Sequence, residues 1–395
     1  MPTNYYWVSW YKEQLPRAAK ASQQLLTNLR GMIIILLVMP AFVAGLLVFL
    51  IGSDGQATEI LLLVMVACIS AIVYAVGDVF ALRLLRLDRL NVGWLPLRVG
   101  LFQVLSFVND GVVNIALYPI GVRLSYSFDS AHSTQDFETL VFLGIQVIFS
   151  RGLLFAYLQR RYRAEVLSFD MPQLLQIPPG NSVVCGMVDD ILRRCRELSL
   201  PELRLSLWLL RSDRTLLPSL FAASQDEKTE YRMVIPRPFL SLVVADHPDC
   251  AFAILAHEMS HAFQNDVELW SRNDLFYSVF ARTLGPQFAA IAAVSIVSAF
   301  LAVAAGRIES VGPALLVLSL TINLLRTQRT VRNARKTSEH IADVFASYLT
   351  SVESISQSIK EYATDKSRLH PSPAERIDYL TQMRTQLGYD PKPNE

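Results

Sequence analysis

The sequence predicts a mainly α-helical membrane protein that carries an α+β domain interrupted by a membrane hairpin. Hydrophobic residues make up 52% of its 395 residues and charged residues only 18%, against about 45–50% and about 25% in soluble domains. The apolar residues are concentrated in blocks, and the segments between the blocks have the composition of soluble domains. A net charge of +1 gives no global attraction for nucleic acid, so we expect no nucleic-acid partner.

Two apolar runs predict a first transmembrane hairpin within residues 31–85. The run 32–51 contains twenty residues without a charge, and as an α-helix it extends about 30 Å, the thickness of a bilayer core. A second run covers residues 60–76 after a short polar turn. The alternative is a helical hairpin buried in a soluble protein.

Residues 86–164 contain two weaker apolar stretches, 99–122 and 140–158, on either side of a polar loop. If both stretches cross the membrane, Asp110 and Arg151 lie at the same depth. We then expect these two residues to pair, because an unpaired charge inside a bilayer is costly. The alternative is a pair of interfacial or soluble amphipathic helices.

A further membrane hairpin is predicted within residues 286–326, where the apolar runs 288–306 and 311–325 are joined by a short turn. Arginine clusters follow the second, fourth and sixth apolar stretches, and basic residues also precede the first. The positive-inside rule places these clusters in the cytosol, together with the segments 165–285 and 327–395. We therefore expect an integral, multi-pass protein of the lipid bilayer with four or six spans, in the cell inner membrane if the source is a bacterium.

The N-terminal segment, residues 1–30, carries a cluster of aromatic residues ahead of basic ones. The aromatic residues are Tyr5, Tyr6, Trp7, Trp10 and Tyr11. Tryptophan and tyrosine are enriched at membrane–water interfaces, so we predict an interfacial segment. The alternative is an aromatic cluster inside a soluble unit.

The segment 246–266 contains the motif H-E-x-x-H, which reads HEMSH at residues 257–261. On a helix, residues i and i+4 share a face, so His257 and His261 can both direct an imidazole nitrogen at one metal ion. Glu258 is rotated by about 100° and can act as a base toward a water molecule beside the ion. The alternative is two solvated histidines on a surface helix.

A third ligand is predicted in the sequence EHIAD at residues 339–343. Glu339 and Asp343 are again spaced by four residues and share one face of a predicted helix. Glu339 can complete a site of two histidines and one glutamate, the donor set of several catalytic zinc sites. Asp343 can accept a hydrogen bond from a ligand histidine and fix its tautomer.

With these motifs the chain resembles the membrane zinc metalloproteases that include HtpX and the CAAX prenyl proteases. That family combines H-E-x-x-H, a membrane hairpin, E-x-x-A-D, and a later H-P-x-x-x-x-R, which reads HPSPAER at residues 370–376 here. The resemblance implies one Zn²⁺ per chain. It also implies that His370 and Arg376 lie near the catalytic zinc and stabilise the tetrahedral oxyanion.

Two segments that precede the predicted helix with HEMSH depart from the family pattern. The family's N-A-F segment corresponds to Ser219, Leu220 and Phe221, and its next strand corresponds to residues 232–238, which contain two prolines. Because proline cannot donate a backbone hydrogen bond, we expect the substrate to be held differently or cleavage to be more selective.

Residues 165–285 and 327–395 form the two catalytic parts of the expected cytosolic zincin-like α+β metalloprotease domain, interrupted by the membrane hairpin. In the first part, periodicity predicts a helix over 181–198, strands over 203–210, 217–223 and 232–235, an exposed loop over 224–230, and a helix capped by Asp246.

The predicted function is hydrolysis of peptide bonds by a membrane-embedded zinc metalloendopeptidase. The expected substrate is a polypeptide that belongs to or associates with the membrane, as in HtpX-like quality control. Two alternatives stay open: a narrow processing or signalling protease, of the prenyl-peptide or transducer type, and a non-enzymatic membrane scaffold. The sequence does not identify the substrate or the oligomeric state.

Overall fold

The protein is mainly helical and contains one four-stranded sheet among the residues that the structure, a computed structural model, describes. These residues are 5–51, 56–85, 174–211 apart from positions 179 and 181, 216–225, 228–267, 311–362 and 370–387, with parts of 100–116, 146–161 and 296–304.

The helices and strands have the following bounds in chain order: α1 Tyr5–Ile51, α2 Gln56–Leu84, β1 Leu174–Gln176, α3 Val183–Glu197, β2 Arg204–Leu210, β3 Ser219–Gln225, β4 Lys228–Pro236, α4 Pro248–Gln264, α5 Val311–Leu349, α6 Val352–Tyr362 and α7 Pro373–Gln386. A short π-helix, Phe239–Val244, lies between β4 and α4.

The chain divides into two compact units. The first comprises Met1–Leu26, Glu165–Asn273 and Gln328–Glu395, and the second comprises Thr27–Ala164 and Asp274–Thr327. The first unit contains the sheet, α3, α4, α6 and α7. Because it contains both motifs on which the predicted protease site rests, we refer to it as the protease unit.

The sheet of the protease unit has the strand order β1-β2-β4-β3. Strands β2 and β4 are parallel, and the two outer pairs are antiparallel. In the central strand β4, Tyr231, Met233 and Ile235 belong to one continuous hydrophobic core with α3, α4, α5, α6 and α7. The three strands that the sequence predicts are therefore present, and β3 lies at one edge of the sheet.

The prediction of an exposed loop over 224–230 is wrong. Strand β3 continues to Gln225 and β4 begins at Lys228, and the two strands pair up to that point, with Ser224 opposite Thr229. A polar sequence is compatible with this antiparallel pair, because antiparallel strands need only one buried face.

Helix α4, which carries HEMSH, begins one residue later than predicted. His247 rather than Asp246 is the N-cap, and Pro248 occupies the first turn, where its missing N–H is not needed. The helix ends at Gln264, and Asn265 adopts the left-handed conformation with φ 52°, which asparagine tolerates better than most residues. This turn folds the chain back against the last turn of α4.

Tyr11 of α1 is fully buried in the core of the protease unit. Its ring stacks on Phe345 of α5 with 4.9 Å between the ring centroids, and its hydroxyl lies 3.0 Å from Oγ of Ser260 within HEMSH. Burial raises the pKa of this phenol. For Tyr11 the structure therefore shows the alternative reading, an aromatic residue inside a protein unit, whereas the interfacial role of the segment as a whole stays a prediction.

In the second unit, α2 presents an apolar face to the exterior. Its exposed apolar residues, between 48% and 68% accessible, include Leu61, Met65, Ile69, Val76, Phe80 and Leu84. Among the described residues, one helical segment, Val64–Leu84, is long and apolar enough to cross a membrane, as judged by length and composition. The number of spans stays a prediction.

The opposite face of α2 packs inside this unit. Gly77 leaves room for the side chain of Asn109, whose amide donates to the carbonyl of Tyr74 at 2.9 Å. Asn109 lies in the apolar stretch 99–122, so at least one polar residue of this stretch has an interhelical partner. The proposed pair of Asp110 and Arg151 lies outside the described residues.

The Tyr11 contacts lead to a stability prediction. Tyr11→Phe keeps the stacked ring but leaves a buried hydroxyl without this partner, and we expect it to lower the free energy of unfolding by about 1–2 kcal/mol. Tyr11→Ala also opens a cavity and should cost about 3–5 kcal/mol. Chemical unfolding in detergent micelles measures both. Exposed Ser9 is the control, since Ser9→Ala should change stability by less than about 0.5 kcal/mol; equal losses at positions 9 and 11 would contradict this account.

Candidate metal centre

The structure brings His257, His261 and Glu339 together although 78 residues separate the second histidine from the glutamate in the numbering. The two histidines project from α4 and the glutamate from α5, and all three side chains are buried. One potential ligand atom from each lies within 4.8 Å of the other two. The three predicted ligands thus form one cluster.

The spacing of these atoms suits a tetrahedral metal ion. Nε2 of His257 lies 3.3 Å from Oε2 of Glu339, and Nε2 of His261 lies 3.9 Å from Oε1 of the same carboxylate. Ligand atoms around a tetrahedral zinc ion are about 3.4 Å apart at ordinary bond lengths. Two imidazoles and a carboxylate are also a donor set that zinc prefers, so these residues fit the ion.

Asp343 lies beside the ring nitrogen of His257 that points away from Glu339. Nδ1 of His257 lies 2.9 Å from Oδ1 of Asp343, so the other ring nitrogen faces Glu339. Asp343 is in turn held by Arg376 of α7, whose Nε donates to Oδ2 at 2.7 Å and whose Nη2 donates to Oδ1. The structure therefore places Arg376 on Asp343, and the role in oxyanion stabilisation that the resemblance implies for it stays a prediction.

His261 has a matching arrangement that the sequence analysis missed. Its Nδ1 lies 3.2 Å from Oδ1 of Asp266, and the hydroxyl of Ser338 donates to Oδ2 of Asp266. Both residues are buried. The signal in the sequence that could have indicated Asp266 is the asparagine before it, because asparagine can end a helix in the left-handed conformation. A helix that ends in this way can bring the next side chain back to its last turn.

Glu339 contacts two further groups besides the histidines. Nε of Arg335 lies 2.9 Å from Oε1 of Glu339, and Nδ1 of His370 lies 3.1 Å from the same oxygen. Nε2 of His370 and Nη2 of Arg335 are 3.1 Å apart. His370 therefore lies beside the candidate metal centre, as the resemblance implies, and Arg335 is a neighbour to which the sequence analysis gave no role.

The surrounding charges shift the pKa values of the cluster. Burial disfavours the charged form of His257, but Asp343 and Glu339 outweigh burial and raise its pKa to about 9. Burial likewise opposes the charge on His261, and Asp266 raises its pKa nonetheless. Burial raises the pKa of Glu339, but His370, Arg335 and His257 reverse this and hold it well below its usual range. The pocket thus favours positive charge between the imidazoles.

Glu258 follows His257 on α4 and is partly exposed, unlike the ligand residues. Burial opposes the charge on Arg376, but Asp343, then Glu339 and last Glu258 raise its pKa nonetheless. A carboxylate with access to solvent next to a metal ligand is what a base requires, since it must exchange protons with water and substrate.

Comparison with known proteins agrees with this site. Residues 225–384 match the family model described as Peptidase family M48, and this segment includes every residue of the candidate metal centre. The match confirms the predicted resemblance to the HtpX and CAAX prenyl protease family. The match indicates a metalloprotease.

Two further comparisons add little. A crystal structure of S. mikatae Ste24p aligns with 96% of this chain and 99% of that chain, at 11% sequence identity and a TM-score of 0.32. A TM-score this low supports no statement about a shared fold or function. None of the curated proteins matches the sequence.

The contact between Arg376 and Asp343 can be tested by its effect on stability. Arg376→Ala leaves a buried carboxylate without this partner, and we expect a loss of about 3–5 kcal/mol in the free energy of unfolding. Arg384→Ala is the matched control, because Arg384 pairs with Glu353 in an exposed ion pair and should cost less than about 1 kcal/mol. Chemical unfolding of metal-depleted protein measures both. Wild-type stability of the Arg376 variant would contradict the positioning role.

Proposed function

We propose that the chain is a membrane-embedded zinc metalloendopeptidase that hydrolyses peptide bonds of membrane or membrane-associated proteins, in HtpX-like quality control. The observation that carries the proposal is the buried cluster of His257, His261 and Glu339, with Glu258 on the same helix, inside the segment that matches the M48 peptidases. All residues needed for metal-assisted hydrolysis are present, which argues against a non-enzymatic scaffold.

The apolar exterior of α2 supports the membrane part of the proposal. Its exposed apolar residues recur at intervals of about one turn and form a continuous stripe. A stripe of this length is costly in water but favourable against lipid. The cytosolic orientation of the catalytic parts, 165–285 and 327–395, rests on the arginine clusters in the sequence and is part of the proposal.

The chemistry divides between the metal and the chain. Zn²⁺ held by His257, His261 and Glu339 would activate water and polarise the scissile carbonyl. Glu258 takes a proton from the attacking water as the water oxygen bonds to the carbonyl carbon. It delivers that proton to the amine nitrogen when the C–N bond breaks. His370 and Arg335 hold the Glu339 carboxylate in place through the contacts described above.

The edge strand β3 supports a broad choice of substrate. It lies next to α4, and among the described strands it pairs with β4 alone. An extended substrate that adds to such an edge is held mainly by backbone hydrogen bonds, which depend little on sequence. The two prolines that suggested altered binding do not lie on β3: Pro236 ends the inner strand β4, and Pro238 precedes the π-helix.

Replacement of the proposed base tests the mechanism. Glu258→Gln keeps the shape of the side chain but cannot accept the proton, so we expect zinc to stay bound while cleavage of an unfolded polypeptide falls by at least about a hundredfold. Glu353→Gln, at an exposed position on α6, is the control and should be fully active. A chelator should abolish wild-type cleavage reversibly. Full activity of the Glu258 variant would refute the mechanism.

The substrate class can be tested with purified protein in lipid vesicles. Quality control predicts cleavage of several unrelated misfolded membrane proteins at multiple sites, with little cleavage of the same proteins when folded. A narrow processing protease would instead cleave one class of peptide, such as a prenylated C-terminal peptide, at a single site. Mass spectrometry of the products distinguishes these outcomes, and single-site cleavage would favour the alternative.

A further inference from the structure

We propose that Asp266 and Ser338 are positioning residues of the metal centre, which fix the orientation of His261 and bring Glu339 into register with it. This inference rests on the proposed metal site. It assigns function to two residues outside the motifs HEMSH and EHIAD, and it explains how the two separated parts of the protease unit form one centre.

The position of Asp266 follows from the way α4 ends. Asn265 takes the left-handed conformation, its N–H donates to the carbonyls of Ala262 and His261, and the N–H of Asp266 donates to the carbonyl of His261. The backbone therefore folds back over the last turn. As a result, the Asp266 carboxylate reaches Nδ1 of His261, at 3.2 Å and 3.3 Å from its two oxygens, although it lies five positions further along the chain.

The Asp266 carboxylate determines which nitrogen of His261 is available as a ligand. A charged carboxylate can only accept hydrogen bonds, so Nδ1 of His261 must carry the hydrogen. The lone pair is then on Nε2, which is the atom that faces Glu339. A histidine held in this way keeps both its tautomer and its ring orientation, and it becomes a stronger ligand.

Ser338 connects this pair to the third ligand. It directly precedes Glu339, and its hydroxyl donates to Asp266 and lies 3.3 Å from Nδ1 of His261. Its carbonyl also accepts a hydrogen bond from the amide of Gln264 at 3.2 Å. Two contacts from the end of α4 therefore hold residue 338, and the next residue of α5 is the ligand. A shift of α5 along α4 would break both contacts.

The test measures zinc affinity and the stability of the metal-free protein separately. Full-length wild type, Asp266→Ala, Asp266→Asn and Ser338→Ala are titrated with zinc in detergent micelles against a chelating dye. Ser358→Ala is the matched control, because Ser358 is a buried serine whose hydroxyl donates to the carbonyl of Ile355 on its own helix. Thermal unfolding with a chelator present reports the fold without metal.

We expect Asp266→Ala to weaken zinc binding by about 10–100-fold, the usual range for loss of a partner behind a ligand histidine. Asp266→Asn should be affected less, because its amide oxygen still accepts the hydrogen bond. Ser338→Ala should weaken binding about fivefold, and adding it to Asp266→Ala should cost little more, since Ser338 acts through Asp266. The visible spectrum of bound Co²⁺ should change in the Asp266 variants and not in Ser358→Ala.

Wild-type zinc affinity in a folded Asp266→Ala variant would overturn the proposal. Equal losses of zinc affinity in Ser338→Ala and Ser358→Ala would also overturn it. So would a loss of stability in the metal-free variants that is large enough to explain the whole loss of zinc affinity. If Asp266→Ala does not fold, Ser338→Ala decides, and unchanged affinity there overturns the proposal. If the wild type binds no zinc, or if His261→Ala binds zinc as tightly as the wild type, the proposed metal site itself is wrong. If His261→Ala loses zinc but the Asp266 and Ser338 variants bind it normally, the metal site stands and the positioning proposal is wrong.

Discussion

The carboxylates of Glu339 and Asp343 are buried on one face of α5, and the whole candidate metal centre depends on how their charges are compensated. An ionised carboxylate in a protein interior costs several kcal/mol unless it is paired and hydrogen-bonded. Arg335, four residues before Glu339, and Arg376 from α7 supply that compensation. Because residues 335, 339 and 343 share one helix face, α5 alone places one cation and both anions. Helix α7 supplies the second cation, Arg376, which pairs with Asp343.

The charges around the histidines leave an excess of negative charge. Among the described residues, the carboxylates are Glu258, Asp266, Glu339 and Asp343, and the guanidinium groups are Arg335 and Arg376. This excess raises the pKa of both histidines, so it attracts protons and divalent cations alike. A divalent cation held here would need the lone pairs of both Nε2 atoms and the Glu339 carboxylate, whereas protons block those lone pairs. Binding of such a cation would therefore release protons.

The sequence predicts the parts of this centre that a single helix determines. Positions i and i+4 meet on any helix, so HEMSH and EHIAD identify His257, His261 and Glu339 without knowledge of the fold. Contacts between distant elements are not predictable in this way. Asp343 was expected to orient a histidine, but its partner Arg376 lies on another helix, and Tyr11 meets Ser260 across 249 positions. Charged residues such as Arg376 are most often exposed to solvent, and tyrosine suits a membrane interface as well as a protein core, so only the tertiary packing reveals these contacts.

Helix α4, which carries the two candidate histidine ligands, is held by contacts from several elements of the fold. The hydroxyl of Tyr11 reaches Ser260, the hydroxyl of Tyr231 donates to the carbonyl of Ala262, and Gln264 donates to Ser338. These contacts come from α1, β4 and α5, so a displacement of α4 would leave buried polar groups unpaired in three places. Ligands on such a support keep their geometry. Under the proposed function, adaptation to different substrates would then come from elements with a free side, and among the described strands near α4 the edge of β3 is the element of this kind.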